Sequence, residues 1–242
     1  MSKPMPPIPA DLPPASFTEV PGWLGFSVHP AEARQQPWSP SHPNAGVVIL
    51  GADAWSESVE EGRAFRLVAR EGNRALTLSE VSQIPYGCDG VPTTMAAFKL
   101  PLDLAEQAVW ILPDGFTAAE AVAVTAGERG PERRTWSAGA LAIEVRKAGA
   151  DAGAVVVSRG DHELYRGSFE KPQMDGAPDE PWRFDHDLPL GVPMPVAAFR
   201  IEGGLTVLVL GAPSYEGVSF EVLAGRDQLA SAGSQYVYLC AY

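Results

Sequence analysis

The residues best suited to chemistry lie in one short segment around a cysteine. Gly87 and Gly90 bracket Cys88 and Asp89, so the backbone can turn sharply there and present the thiol. A nucleophilic cysteine needs a base within reach; two of the four histidines lie in the proline-rich start of the chain, and His162 is the candidate base. Asp89 opposes this role, because a neighbouring carboxylate disfavours a thiolate. The alternative is a tight turn around a small buried thiol.

A second segment is rich in carboxylates. Asp175, Asp185 and Asp187 belong to it, and an extended backbone would place the last two on the same side of the chain. Carboxylate oxygens are the ligands that Ca²⁺ and Mg²⁺ prefer, so a Ca²⁺ or Mg²⁺ site is one interpretation. The spacing matches no EF-hand loop, and nearby prolines favour the alternative of a solvated acidic loop. No other cofactor is predicted.

Aromatic residues in proline-rich segments form a third group. Trp23, Phe26 and Trp38 lie near the start of the chain, and Trp182 lies in a later Pro-rich stretch. A tryptophan in a loop either packs beneath that loop or contacts a partner, because large aromatic side chains dominate interface energies. These four residues are the predicted partner-binding residues.

The sequence contains none of the strong catalytic or nucleotide-binding motifs. There is no G-x-x-x-x-G-K-[ST] loop, no G-x-G-x-x-G turn and no G-x-S-x-G elbow. The metal-binding patterns H-E-x-x-H and C-x-x-C are also missing. These absences favour a binding protein over an enzyme.

Net charge and cysteine content narrow the function classes further. The 242 residues include 18 Lys and Arg against 30 Asp and Glu, which gives a net charge of −12. Such a surface repels phosphate backbones and anionic lipids, so neither nucleic acid nor a membrane is an expected partner. Two cysteines, no signal-peptide pattern and no apolar run of about 18 residues together predict a cytoplasmic location.

Short apolar or alternating runs, bounded by Gly, Pro, Asp or Asn, dominate the chain after residue 45. The runs 64–69 and 75–81 flank a Gly-containing turn, which is typical of a β-hairpin. The only helix signals are 56–62 and the Ala-rich segment 117–124. We therefore predict an all-β fold, either a sandwich of about twelve short strands or two similar β half-domains.

The predicted domains are a proline-rich extended arm (1–45), a first β half (46–150) and a second β half (151–242). Eleven of the 23 prolines fall in the arm. Because proline fixes φ and lacks a backbone donor, the arm should be extended and should make a poor central strand. It is expected to dock on the body of its own chain or on another subunit; the alternative is a flexible arm without fixed contacts.

A repeated block suggests that the two β halves arose by internal duplication. Residues 90–100 and 191–201 match at six of eleven positions, including Gly-Val-Pro and Ala-Ala-Phe. A duplication predicts the same strand order over 64–112 and 154–210. It also predicts that Phe98 and Phe199 occupy equivalent core positions.

Taken together, these patterns predict a non-catalytic binding or structural protein that acts through protein–protein contacts or self-association. Its acidic surface suits an assembly component or a neutraliser of a basic partner. The alternatives are a metal-dependent hydrolase that uses the acidic loop 175–187, or a thiol enzyme that uses Cys88.

Overall fold

The computed structural model describes residues 20–27, 45–50, 61–86, 91–99, 107–116, 118–172, 182–187, 189–215 and 217–238. In this part of the chain the secondary structure is almost entirely β-strand, with one short 3-10 turn at Glu202–Gly204. The all-β fold predicted from the short apolar runs is confirmed.

The described strands follow one another closely along the chain. In order they are β1 (Trp23–Ser27), β2 (Ala45–Leu50), β3 (Ala64–Ala69), β4 (Gly72–Tyr86), β5 (Val91–Lys99), β6 (Gln107–Pro113), β7 (Ala119–Val122), β8 (Val124–Arg129), β9 (Arg133–Ala138), β10 (Leu141–Lys147), β11 (Ala152–Arg159), β12 (His162–Glu170), β13 (Met194–Ile201), β14 (Leu205–Pro213), β15 (Gly217–Gly225) and β16 (Ala230–Tyr238).

The Ala-rich segment 117–124, which carries a helix signal in sequence, contributes strand β7 instead. Alanine favours helix only weakly, and tertiary pairing in a sheet overrides that preference. The predicted hairpin 64–81 is present as β3 and β4, which pair from Ala64–Thr77 to Ala69–Gly72.

The chain divides into two compact units. Unit 1 holds the described residues as far as Ala121 and the later segment Phe199–Leu205; unit 2 holds Val122–Ala198 and the described residues from Thr206 onward. The sequence-based boundary at 150/151 lies elsewhere, in the turn between β10 and β11, which pair with each other in one sheet.

In unit 1, six strands close into a barrel in the order β1-β2-β5-β4-β3-β6. All six neighbouring pairs are antiparallel, including the β6–β1 pair that completes the circle. Closure removes the unpaired strand edges that an open sheet would present.

Aromatic side chains fill the barrel. Trp23, Phe65 and Phe98 are each at most 2% exposed. The ring centroid of Phe65 lies 6.1 Å from Trp23 and 5.4 Å from Phe98, and both contacts are edge-to-face. This geometry suits the quadrupoles of the rings and adds to the stabilisation from apolar burial.

Strand β1 corrects the expectation that residues 1–45 make a poor central strand. Trp23–Ser27 pairs with β2 on one side and β6 on the other. The prolines nearest to it, Pro21 and Pro30, lie outside the strand, so each of its residues can donate a backbone hydrogen bond. Proline enrichment over a region of 45 residues conceals this short proline-free run.

The remaining strands form two five-stranded sheets, in the orders β12-β11-β10-β9-β8 and β16-β15-β14-β13-β7. In unit 2 their inner faces share one apolar core. Ile143 and Val157 come from the first sheet, and Leu208 and Leu223 come from the second. Unit 2 is therefore a β-sandwich, the architecture that alternating apolar positions produce when two sheets cover each other.

The strand order predicted from the repeated block is wrong. In unit 1, β5 pairs with β4 and β2, whereas β13 lies in a different sheet from β12 and next to β14. Phe98 belongs to the barrel core, but Phe199 lies on the face of β13 opposite to the core residue Ala198. The Phe199 ring instead lies 6.0 Å from Trp110, another residue of unit 1. Both copies of the repeated block form a strand with a buried Phe, but the strands around the two copies are arranged in different orders.

Candidate functional site

A small cleft opens between the two sheets of the sandwich in unit 2. Its volume is about 140 Å³. A cavity of roughly 150 Å³ can hold a benzene-sized group, so the cleft suits one side chain or a comparably small group. The residues that line it come from β11, β12, β14, β15 and the segment before β13: Val155, Tyr165, Gly167, Ser168, Phe169, Gly191, Pro193, Leu210, Ala212, Ser219 and Glu221.

The first wall of the cleft is formed by β12, which contains a bulge. Tyr165 pairs with Val157 and Glu163 pairs with Ser158, so Leu164 is an extra residue between them. The carbonyl of Leu164 accepts a hydrogen bond of 2.8 Å from the amide of Leu229. The bulge brings Tyr165 onto the same face as the buried Val157, as bulges commonly do when they redirect a side chain.

Gly167 keeps this wall open. It pairs with Val155 and lies on the same face of β12 as Tyr165 and Phe169. A methyl group at this position would overlap the hydroxyl of Tyr165. The absence of a side chain at Gly167 therefore lets the Tyr165 side chain lie along its own strand.

The second wall carries an ionisable group on a core-facing surface. Leu210 pairs with Glu221, and Ala212 pairs with Ser219, so these four side chains share one face of the sheet. Leu210 belongs to the apolar core of unit 2. Glu221 therefore lies on the inner face of the sandwich, at a position where an apolar residue would be ordinary.

Tyr165 and Glu221 meet across the cleft. The Tyr165 hydroxyl donates to Oε1 of Glu221 over 3.5 Å, a long hydrogen bond. Burial, followed by the charge and hydrogen bond of Glu221, raises the pKa of Tyr165 above its usual value near 10. The phenol is therefore a neutral donor at physiological pH, facing a carboxylate.

The structure places two of the predicted metal ligands in ion pairs. Nε of Arg183 donates to Asp185 over 2.9 Å, and Arg129 lies 2.8 Å from Asp187. The hydrogen bond from Arg183 lowers the pKa of Asp185 to about 2. No cluster of three or more His, Cys, Asp or Glu side chains suited to a metal occurs among the described residues. Asp175 lies outside the described residues.

The arginine contacts give these carboxylates a structural role. The guanidinium of Arg129 also donates to the carbonyl oxygen of Asp185, over 2.7 Å from Nε. The amide of Phe184 donates to the carbonyl of Pro131 over 2.9 Å. Together these bonds hold segment 182–187 against the turn between β8 and β9.

The predicted thiol site stays a prediction, because the structure describes only one of its two residues. Cys88 lies outside the described residues. His162 is exposed at the start of β12 and does not line the cleft.

Two of the four predicted partner-binding aromatics are core residues. Trp23 is 1% exposed inside the barrel, and Trp182 is 8% exposed in the core of unit 2. Trp182 contacts Phe169 and Phe184 edge-on, and its indole N–H donates to the carbonyl of Leu190 over 3.0 Å. Burial therefore corrects the prediction that these two rings contact a partner.

Phe26 and Trp38 complete that group. Phe26 is half-buried on β1, where it pairs with Val48 and Ala108. Trp38 lies outside the described residues, so its predicted role in partner binding stays a prediction.

Tyr165 and Glu221 could not be recognised as a pair from the sequence. They are 56 residues apart and on different sheets, so only the packing of the sandwich brings them together. One signal was present in the sequence: Glu221 is the one charged residue of β15 and lies two residues before Leu223. Period-two alternation places a carboxylate there on the same face as a core residue.

The fold and the cleft define an all-β protein that contains a closed six-stranded barrel and a β-sandwich. Searches of protein-family models, curated proteins and solved structures found no significant match to this chain. Within the described residues, no helix has the length and apolar character needed to cross a membrane.

Proposed function

We propose that this chain is a non-catalytic binding protein that recognises a positively charged protein partner, with the sandwich of unit 2 as the recognition unit. The observation that carries the proposal is Glu221, a carboxylate on the inner face of an open cleft. Among the described residues, no Lys, Arg or His forms an ion pair with it. Because Glu221 has no cationic neighbour among these residues, an ion pair with a cation of the partner would add to the binding affinity.

The net charge of −12 supports the same partner class. Long-range attraction speeds the encounter with a basic protein, and like charge discriminates against acidic ones. The Tyr165–Glu221 pair, with Ser168 and Ser219, offers donors and acceptors but no nucleophile–base pair of the kind that covalent catalysis requires. Recognition uses the residues that line the cleft, and the described candidates of the alternative enzymes, His162, Asp185 and Asp187, are not among them.

The test is direct binding of defined peptides to the full chain. A dye-labelled decalysine peptide is titrated by fluorescence anisotropy at about 0.15 M salt, where the Debye length is about 8 Å and diffuse attraction is largely screened. We expect saturable binding of decalysine and none of a neutral Gly-Ser decapeptide. Binding that vanishes at this salt concentration, or that equals binding of the neutral peptide, would overturn the proposal.

Light scattering on the protein alone separates recognition of a partner from self-association. A monomer that binds decalysine supports the proposal. A stable oligomer that ignores the peptide would instead favour self-association as the function.

A further inference from the structure

We propose that the cleft of unit 2 is a lysine pocket, in which a lysine side chain of the partner places its ammonium group beside the hydrogen-bonded pair of Glu221 and Tyr165. The inference rests on the proposed function, because it specifies the chemical group by which the basic partner is recognised. It assigns a specificity role to both residues.

The walls of the cleft suit the alkyl part of a lysine side chain. Val155, Phe169, Pro193 and Leu210 present apolar surface. Lysine commonly buries its four methylene groups along such surface while the charged end reaches a polar group. Each buried methylene contributes about 0.8 kcal/mol, so the stem adds affinity that a simple inorganic cation cannot obtain.

The depth of the cleft depends on two small residues. Gly167 on β12 and Ala212 on β14 both line it. Larger side chains at these positions would occupy the space between the sheets. A cleft of about 140 Å³ admits one side chain and excludes a folded segment.

The polar end of the cleft favours an ammonium over a guanidinium. The Tyr165 hydroxyl already donates to one oxygen of Glu221, so that carboxylate cannot offer both oxygens equally to the planar fork of an arginine. An ammonium has three donors in a compact group. The other oxygen of Glu221, the phenol oxygen and the Ser219 hydroxyl are acceptors of the matching number.

Tyr165 also positions the carboxylate. Its side chain lies over Gly167, and its hydroxyl reaches Glu221 from the opposite sheet. The raised pKa of this phenol keeps it a donor across the physiological pH range. Tyr165 therefore orients Glu221 through its O–H, while its phenol oxygen stays available as an acceptor for the ammonium group.

The test compares decalysine with decaarginine on the wild type and on matched variants at about 0.15 M salt. Glu221→Gln removes the pocket charge. Glu132→Gln removes an equal charge from an exposed turn that does not line the cleft. Ala212→Leu fills the cleft and leaves the net charge unchanged.

We expect Glu221→Gln to weaken decalysine binding about tenfold, which corresponds to 1.4 kcal/mol. Glu132→Gln should change it by less than about threefold, because an isolated surface charge contributes little. Ala212→Leu should weaken binding like Glu221→Gln. Wild type should prefer decalysine to decaarginine, and Glu221→Gln should lose that preference.

Equal effects of Glu221→Gln and Glu132→Gln would overturn the lysine pocket while leaving recognition of a basic partner intact. A preference of the wild type for decaarginine would do the same. A wild type that binds neither peptide would overturn both proposals. Circular dichroism melting of each variant identifies any that fails to fold. If Ala212→Leu does not fold, the comparison of Glu221→Gln with Glu132→Gln still tests the proposal, because Glu221 is partly exposed and its substitution should be tolerated.

Discussion

In unit 1 a single sheet closes on itself, whereas in unit 2 two open sheets face each other. The apolar core of the first includes Trp23, Phe65 and Phe98. The inner surface of the second changes from Leu208 and Leu210 to the carboxylate of Glu221 towards its margin. At this margin an ionisable side chain lies beside apolar core residues, and the candidate site lies there.

The largest expected effect tests barrel closure. Trp23→Ala removes a ring that is 1% exposed from the strand that completes the barrel. We expect the free energy of unfolding to fall by about 3–5 kcal/mol, the usual cost of deleting a large buried aromatic. Urea denaturation followed by circular dichroism measures it. Trp182→Ala, at the 8%-exposed margin of the sandwich core, should cost less. A larger loss for Trp182→Ala would contradict the comparison.

The next largest effect on the free energy of unfolding concerns Gly22, the residue before β1. Gly22 has a φ of 101°, and an added methyl group would overlap the carbonyl oxygen of Ile111. Gly62 also has a positive φ, of 86°, but nothing lies within 4 Å of the added methyl group. Gly62→Ala should cost about 1–2 kcal/mol from backbone strain alone. Gly22→Ala should cost clearly more, and equal costs in the same denaturation assay would show that the close approach of the strands at Gly22 is unimportant.

A smaller effect is expected where segment 182–187 is attached to unit 2. Arg129→Ala removes the bonds to the Asp185 carbonyl and to the Asp187 carboxylate. Because Asp187 is largely exposed, we expect a loss of about 1 kcal/mol, mainly from the carbonyl contact. Hydrogen exchange at the Phe184 amide, which donates to Pro131, should become faster. Unchanged exchange there would mean that Arg129 does not hold the segment.

The contact between Tyr165 and Glu221 should make the stability of the protein depend on pH in the alkaline range. Burial and Glu221 raise the pKa of Tyr165. The neutral phenol therefore contributes stability that is fully present below about pH 10 and is lost as the pH rises through the raised pKa. Ultraviolet titration of tyrosinate, with Tyr165→Phe to identify the signal, measures the shift. Glu221→Gln should lower this pKa without returning it fully, because burial is the larger cause.

The smallest effect lies at acidic pH. The hydrogen bond from Arg183 holds the pKa of Asp185 at about 2. Its contribution to stability is present above the ordinary value of 3.8 and is lost as the pH falls through about 2. Arg183→Ala should return the pKa of Asp185 towards 3.8, as followed by NMR of the side-chain carboxyl. A pKa that stays near 2 in this variant would exclude Arg183 as the cause.

The sequence predicted the all-β class because period-two alternation and turn residues are local signals. The β3–β4 hairpin was predictable for the same reason, since its strands are joined by Arg70 and Glu71 alone. Barrel closure was not predictable, because β1 and β6 are distant in sequence and nothing local specifies their pairing. The misleading signals were averages, such as proline content over 45 residues or alanine content over eight.

The candidate site also could not be predicted in full from local sequence signals. Asp185 and Asp187 were detectable as a carboxylate-rich segment, but their arginine partners come partly from β8, where Arg129 is located. Tyr165 looks ordinary within its own strand, and Glu221 is marked in the sequence only by its charge among core-facing positions. Their relationship exists only once β12 and β15 face each other across the sandwich.

The position of β1 in the barrel has a consequence for how the protein is made. Trp110 donates from its indole N–H to the carbonyl of Pro21, 89 residues earlier in the chain. A growing chain therefore cannot complete the β1–β6 pair until the whole of β6 has left the ribosome. Loop closure over such a distance costs entropy before any contact is formed, which makes it a slow step. Until then β1 lacks the neighbour that β6 provides and exposes one strand edge, so this interval is when a chaperone would have most to protect.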